Sequence, residues 1–438
     1  MGIRGAGALL TICVFTLAAR AMSADDFGQL AVWFNAMSFL AVAATFGQDT
    51  LIARSWGEYT GRGEREAAHG AYWFGWRTSV LSAALFVVGL LVVAPLTSVK
   101  IAPMALYAGA VFLFMQTMLH FSSHSSRVVV GFVVSETNRE LTWRLVLLVV
   151  VVWSVLHQGV LYRALSPAEF FAAGAAGMVL SVLFQLLAVR RKFLAEPVAH
   201  AREAARPAWY ARSRAMWLSA IVEAASQYAD VMLIGYFASP AVAGDYFVAA
   251  RIANIFLMVS TGLNTYSFTH SAKLYFSGQI GRLQDILRAV VTAALAFVLP
   301  ALVVIVVFGQ AILTIFGERY AGVYPVLVVL TVGAFIVSLC GSASVILLTT
   351  GHETLYSRVV TLATVGRMAL TSVLAVKYGA LGAACGWAIV NAPLAMALAC
   401  VCRAVCGVDP SALGIFRRSP APPSAPLAPA SGQAVRGL

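Results

Sequence analysis

Ala243–Phe268, AGDYFVAARIANIFLMVSTGLNTYSF, is an apolar stretch with an arginine inside it. At about 1.5 Å of rise per residue, a helix of this length crosses a bilayer. Its polar residues Arg251, Asn254, Thr261 and Thr265 follow at spacings of 3, 7 and 4, which puts them on one helical face. The same face recurs 216 positions earlier as Asn35, Ser38, Thr45 and Asp49, within Phe27–Ala53. Two copies of one polar-striped span predict a duplicated membrane transporter.

Composition agrees with that reading. Of 438 residues, 61% are hydrophobic and 11% charged, and the mean hydropathy is +0.85. No aqueous fold could bury so much apolar surface, so the chain belongs to the membrane class. Twelve spans of about 20 residues each use most of its length, leaving short loops and no room for a large soluble domain. The net charge of +12 sits mainly in loops beside spans. Membrane topology and anionic lipid explain it there, and nucleic acid is not expected as a partner. The six cysteines, Cys13, Cys340, Cys385, Cys400, Cys402 and Cys406, show no CxxC spacing and read as small buried hydrophobes. Cys400, Cys402 and Cys406 lack a neighbouring His in the sequence, so neither a metal nor another cofactor is expected.

The expected fold class is an all-α polytopic membrane protein of about twelve helices, in two six-helix parallel repeats around a central cavity. Residues 1–189 form the first bundle, 190–215 a basic linker, 216–406 the second bundle, and 407–438 a disordered Pro-rich tail. Arg4, the apolar run Ala6–Ala18 and Ala19-Arg20-Ala21 imitate a secretory signal. A first span is preferred, because cleavage would remove one member of the repeat. The segment from Arg127 to Arg144 is expected to lie along the inner surface. With both termini inside, the outer turns hold only Arg20, Lys100, Arg163, Arg319 and Lys377 of the 30 basic residues, and Arg251 and Arg367 lie within spans. That bias fixes the orientation. Six spans is an even number, so the halves run parallel, about an axis along the membrane normal. Gly28 with Gly244, and Tyr59 with Tyr275, repeat at the same offset of 216.

No Walker loop, dinucleotide fingerprint, HExxH or nucleophile elbow is present, and enzymatic chemistry is not expected. Intramembrane polar groups are the remaining candidates, since they are costly in lipid and usually face a bundle interior or a wet cavity. Arg251 is either an anion site or a structural cation tied to a partner. Glu223, Gln227 and Asp230 share a face of the preceding span, and a hairpin turning at Pro240 would bring Asp230 near the depth of Arg251. Glu223 and Asp230 are the candidates for ion coupling. Arg367 lies in span eleven beside Thr361, Thr364 and Thr371, where a cavity and a packed hydroxyl face are both open readings. Gln116, His120, Ser123, His124 and Arg127 fit a proton relay or the interfacial end of a helix.

Four stretches, ARAMSADDFGQLAVW (Ala19–Trp33), ADVMLIGYFASPAVAGDYFVAARI (Ala229–Ile252), FGERYAGVYPVL (Phe316–Leu327) and KYGALGAACG (Lys377–Gly386), resemble the Wzx-like oligosaccharide flippases. These belong to the superfamily that also holds multidrug and toxic compound exporters. The resemblance implies two six-helix bundles, alternating access, and movement of a polyprenyl-diphosphate-linked oligosaccharide across the bacterial inner membrane. Such a substrate needs cations at mid-depth, which Arg251 and Arg367 supply with guanidinium forks suited to phosphate. Asn35, Asn254, Thr261 and Asn264 offer hydrogen bonds to sugars. Membrane lipids, a polysaccharide polymerase and glycosyltransferases are the other expected partners. A cation-coupled multidrug exporter and a non-transporting scaffold for glycan assembly are the alternatives.

Overall fold

The computed structural model describes residues 2–97, 101–161, 165–195 and 206–416. The side chains of residues 158–161, 256, 258–266, 268–270 and 272 lie outside that description. The described chain is helical throughout. It begins with α1 (Gly2–Ala21), α2 (Ala24–Ala44), α3 (Gln48–Gly61), α4 (Arg65–Val93) and α5 (Pro103–Val129). Next come α6 (Phe132–Thr137), α7 (Trp143–Leu161), α8 (Pro167–Ala195), α9 (Arg206–Phe237) and α10 (Pro240–Phe276). The chain continues through α11 (Ile280–Thr314), α12 (Tyr324–Leu339), α13 (Ala343–Thr349), α14 (Glu353–Cys406) and the short α15 (Leu413–Phe416).

Among the described residues, nine segments are long and apolar enough to cross a membrane. One of them, α14, breaks at Gly379, where φ is 61° and ψ −145°, a conformation almost confined to glycine. Each arm exceeds the roughly 20 residues a span requires. The two long helices outside the set, α9 and α10, carry Glu223, Asp230 and Arg251. Adding them and separating the arms of α14 accounts for the twelve expected spans. The first helix, α1, is continuous from Gly2 to Ala21.

The chain divides into two compact units. The first holds Met1–Val248, Leu313–Ala321 and Ala375–Ala383, and the second Ala249–Ile312, Gly322–Leu374 and Ala384–Leu438. In the first, Phe15 is the hub of an aromatic core, with ring centroids 5.1 Å from Phe34, 5.5 Å from Phe170 and 4.9 Å from Phe247. A second cluster near the ends of α3 and α4 buries Leu51, Ile52, Tyr59, Tyr72, Phe121 and Trp209. The second unit has its own core of Tyr275, Ile280, Leu283, Leu287, Ile346, Leu347 and Cys402. Tyr59 and Tyr275, matched by the offset of 216, thus each anchor a core in a different unit.

Capping repeats at the same offset. Ser23 Oγ accepts a hydrogen bond from Asp26 N at 3.1 Å and starts α2, while Ser239 Oγ accepts from Val242 N at 3.2 Å and starts α10. Each satisfies an orphan amide of the first turn, a contribution of about 1 kcal/mol. These serines also lie 216 residues apart.

Three segments are more ordered than their composition suggests. The basic linker 190–215 is helical at both ends: α8 runs to Ala195 and α9 begins at Arg206, with residues 196–205 outside the described set. Trp209, within this stretch, is buried and donates Nε1–H to Tyr59 Oη at 2.9 Å, and Arg212 pairs with Glu58 at 3.2 Å. An aromatic anchor and an ion pair therefore fix a segment whose charge alone suggested solvent. The expected disordered tail of 407–438 begins with a docked turn. Asp409 N donates to Gln284 Oε1 and Gln284 Nε2 to Asp409 O, both at 2.8 Å, and Ala412 N donates to Leu339 O at 2.8 Å. Residues 417–438 lie outside the described set. Finally, the segment between Arg127 and Arg144 is helical along most of its length: α6 passes through a π-helical turn, Asn138–Thr142, into α7.

Candidate functional site

The predicted polar face of α2 is buried in the first unit. Asn35 is 3% exposed and donates its Nδ2 to Ala31 O at 2.7 Å, so its amide is partly used by its own helix. Ser38 accepts from Gln116 Nε2 at 3.1 Å, and Thr45 Oγ1 donates to Val42 O at 2.7 Å. Just beyond, the helix breaks at Phe46 (φ 51°) and Gly47 (φ 69°). Carbonyls at this break are met by side chains of α9. Trp217 Nε1 donates to Ala43 O at 2.7 Å, Ser213 Oγ donates to Phe46 O, and Gln48 Nε2 donates to Ser213 Oγ at 2.9 Å. An unsatisfied buried carbonyl would be costly, so α9 holds this kink in place.

On α9, Glu223 and Gln227 are exposed and Asp230 is buried, within the first unit. Arg251 lies in the second unit, half-buried on α10, with Asn254 exposed one turn on. The side chains of Thr261, Asn264 and Thr265 lie outside the described set. Arg367 is 3% exposed on the first arm of α14, between the buried Thr364 and Thr371. The second arm closes against that face: a Cβ on Gly386 would stand 2.9 Å from Thr371 Cα. Polar side chains buried on a span are costly in lipid and usually face a bundle interior or a wet cavity. His120 and His124 are partly buried on α5, where His124 Nδ1 lies 2.9 Å from His120 O.

Two groupings were not read from the sequence. In the first unit, Ser122 Oγ and Ser123 Oγ meet the Gln185 amide, the former donating to Oε1 at 2.5 Å and the latter accepting from Nε2 at 3.1 Å. Next to them Glu136, with a side chain only 1% exposed, receives Arg4 Nε at 3.1 Å and Arg127 Nη2. The run Ser122-Ser123-His124-Ser125-Ser126 in an apolar helix was the available signal; Glu136 had none, because its segment mixes polar and apolar residues and read as lying along the inner surface. In the second unit the fold brings His352 Nδ1 to 4.0 Å from Cys406 Sγ, supplying the His that the sequence did not place near the cysteines. Among the described residues, no group of three or more His, Cys, Asp or Glu is arranged to hold a metal.

No family model matches the chain. Over 146 residues, 33% of this chain and 29% of the relative, it is 27% identical to the "Probable flippase AglR" of Haloferax volcanii. In fold it is similar to an inward-facing multidrug resistance MATE transporter of the MOP superfamily, with a TM-score of 0.72 at 13% identity, covering 92% of this chain and 94% of that one. It is also similar to the lipid II flippase MurJ in an inward closed conformation, with a TM-score of 0.68 at 12% identity over 90% of this chain and 86% of MurJ. A MOP superfamily transporter from Pyrococcus furiosus matches with a TM-score of 0.62 at 13% identity, over 92% of this chain and 93% of that one. The chain is thus a multi-pass, all-helical membrane protein with the transporter fold of MATE and MurJ, and it resembles the Wzx-like flippases of the MOP superfamily.

Proposed function

We propose that this chain is a flippase that moves a polyprenyl-diphosphate-linked oligosaccharide across the cytoplasmic membrane by alternating access, for export of a polysaccharide. Both termini are cytoplasmic in this reading, and no cofactor or catalytic step is involved. The likeness to a protein described as a flippase supports it, as does a fold shared with a lipid II flippase. The observation that carries it is Arg367, a buried guanidinium among threonines in the middle of a span. A delocalised cation that stays charged and donates in a fork suits a lipid diphosphate better than it suits a cationic drug. Arg251 is the second phosphate ligand in this proposal. Asn35, Asn254, Thr261 and Asn264 serve the sugars, and Glu223 and Asp230 serve coupling to an ion. The two six-helix halves, 1–189 and 216–406, remain the proposed plan of the moving parts.

The test is genetic. Arg251→Ala with Arg367→Ala abolishes polysaccharide export while the protein level in the membrane holds. Unchanged export removes both residues from the mechanism. Raised drug sensitivity on deletion of the chain, with polysaccharide intact, identifies an exporter of cationic compounds instead. Export that survives neutralisation of every intramembrane charge identifies a scaffold for glycan assembly.

A further inference from the structure

The Glu136 cluster is not part of the proposed transport path. It joins three helix ends of the first unit: the start of α1, the end of α5 and the α6–α7 junction. Four arginines gather there, Arg4, Arg127, Arg139 and Arg144, against two carboxylates, Glu136 and Glu140. Arg4 and Arg127 bind Glu136, and Arg144 binds Glu140 at 3.0 Å. The cluster therefore keeps an excess of positive charge after its internal pairing. Arg4 holds Glu136 through Nε, and among the described residues its two terminal nitrogens have no hydrogen bond. Its side chain is 53% exposed.

Apolar surface flanks these cations. Past the Gly131 turn, Phe132 is 50%, Val133 65% and Val134 39% exposed. The guanidinium carbons of Arg4 and Arg127 lie 6.0 and 5.8 Å from the centre of the Phe132 ring. A soluble partner would need those three residues covered, whereas acyl chains cover them without any further surface. We propose that this cluster is a docking site for an anionic phospholipid, with the phosphate on Arg4 and Arg127 and the acyl chains along Phe132–Val134. The charge complements a phosphate, and guanidinium groups match its oxygens in geometry. Glu136 holds the two cations at one point and competes with the lipid for them. The site lies at the cytoplasmic leaflet under the orientation proposed above. Lipid binding itself does not depend on the flippase reading.

The full-length chain, purified in detergent, is titrated with phosphatidylglycerol and with phosphatidylcholine and read by native mass spectrometry. Phosphatidylglycerol is retained and phosphatidylcholine, which has no net charge, is not. Arg4→Gln with Arg127→Gln lowers the phosphatidylglycerol affinity by about fivefold per arginine. Glu136→Gln raises retention, because the competing carboxylate is gone, whereas a cluster that is only a structural brace gains no affinity for lipid. If the double variant fails to fold, Arg4→Gln alone decides, since it leaves the Arg127–Glu136 pair in place. Retention unchanged in Arg4→Gln, no rise in Glu136→Gln, or retention of a polyprenyl diphosphate with none of phosphatidylglycerol would overturn the proposal.

Discussion

Gly28 and Gly244, one offset of 216 apart, touch each other where α2 and α10 cross: a Cβ added at Gly244 would stand 3.1 Å from Gly28 Cα. A Cβ on Gly28 would run into the Pro240 carbonyl at the start of α10. The repeat seen in the sequence is therefore also a contact, and both copies need a residue without a side chain there.

Substitution at this crossing loosens the first unit. Gly28→Ala forces backbone apart and costs about 1–3 kcal/mol, the usual range for overpacking. A lowered melting temperature in detergent is the expected result. Gly57→Ala, on α3 with no neighbouring atom within 4 Å of the added carbon, is the control and leaves the melting temperature unchanged or slightly raised.

The kink between α2 and α3 depends on α9. Ser213→Ala removes the donor to the part-buried Phe46 O and the acceptor of the buried Gln48 Nε2. The expected cost is about 1–3 kcal/mol for each group not reached by water. Hydrogen exchange at residues 45–48 should quicken in the variant, with α5 and α8 unaffected.

The break in α14 is set by Gly379. At φ 61° and ψ −145°, an alanine is strained by about 1–3 kcal/mol. Gly379→Ala should reduce folded yield in the membrane. Gly366→Ala, in the same helix with open space around it, should not.

The C-terminal turn rests on the reciprocal pair between Gln284 and Asp409. Gln284→Ala frees it. Trypsin should then cut at Arg403 faster than in the parent protein, with cleavage elsewhere unaltered.

Span count, helical class and the repeat were legible because they depend on hydropathy and a fixed offset, which Asn35, Gly28 and Ser23 all keep. Arg367 was legible for a similar reason, since a charge in an apolar run is visible without coordinates. The Gln185–Ser122–Glu136 grouping was not, because its members come from distant helices that only the fold brings together. Trp209 was hidden by the arginines around it, and the docked turn at Val408–Gly414 by the Pro-rich composition that follows. Charge and composition report on a window of sequence, whereas burial is decided by what packs across it.

Purified chain in sealed vesicles, supplied on one face with a fluorescent polyprenyl-diphosphate oligosaccharide, allows transfer to be read as label becoming accessible on the other. The account predicts transfer above that of protein-free vesicles. With Arg367→Ala it should fall about ten- to a hundredfold, the value of one charged hydrogen-bonding contact to phosphate. Transfer by the parent chain no faster than in protein-free vesicles, or equal transfer by Arg367→Ala, would contradict it.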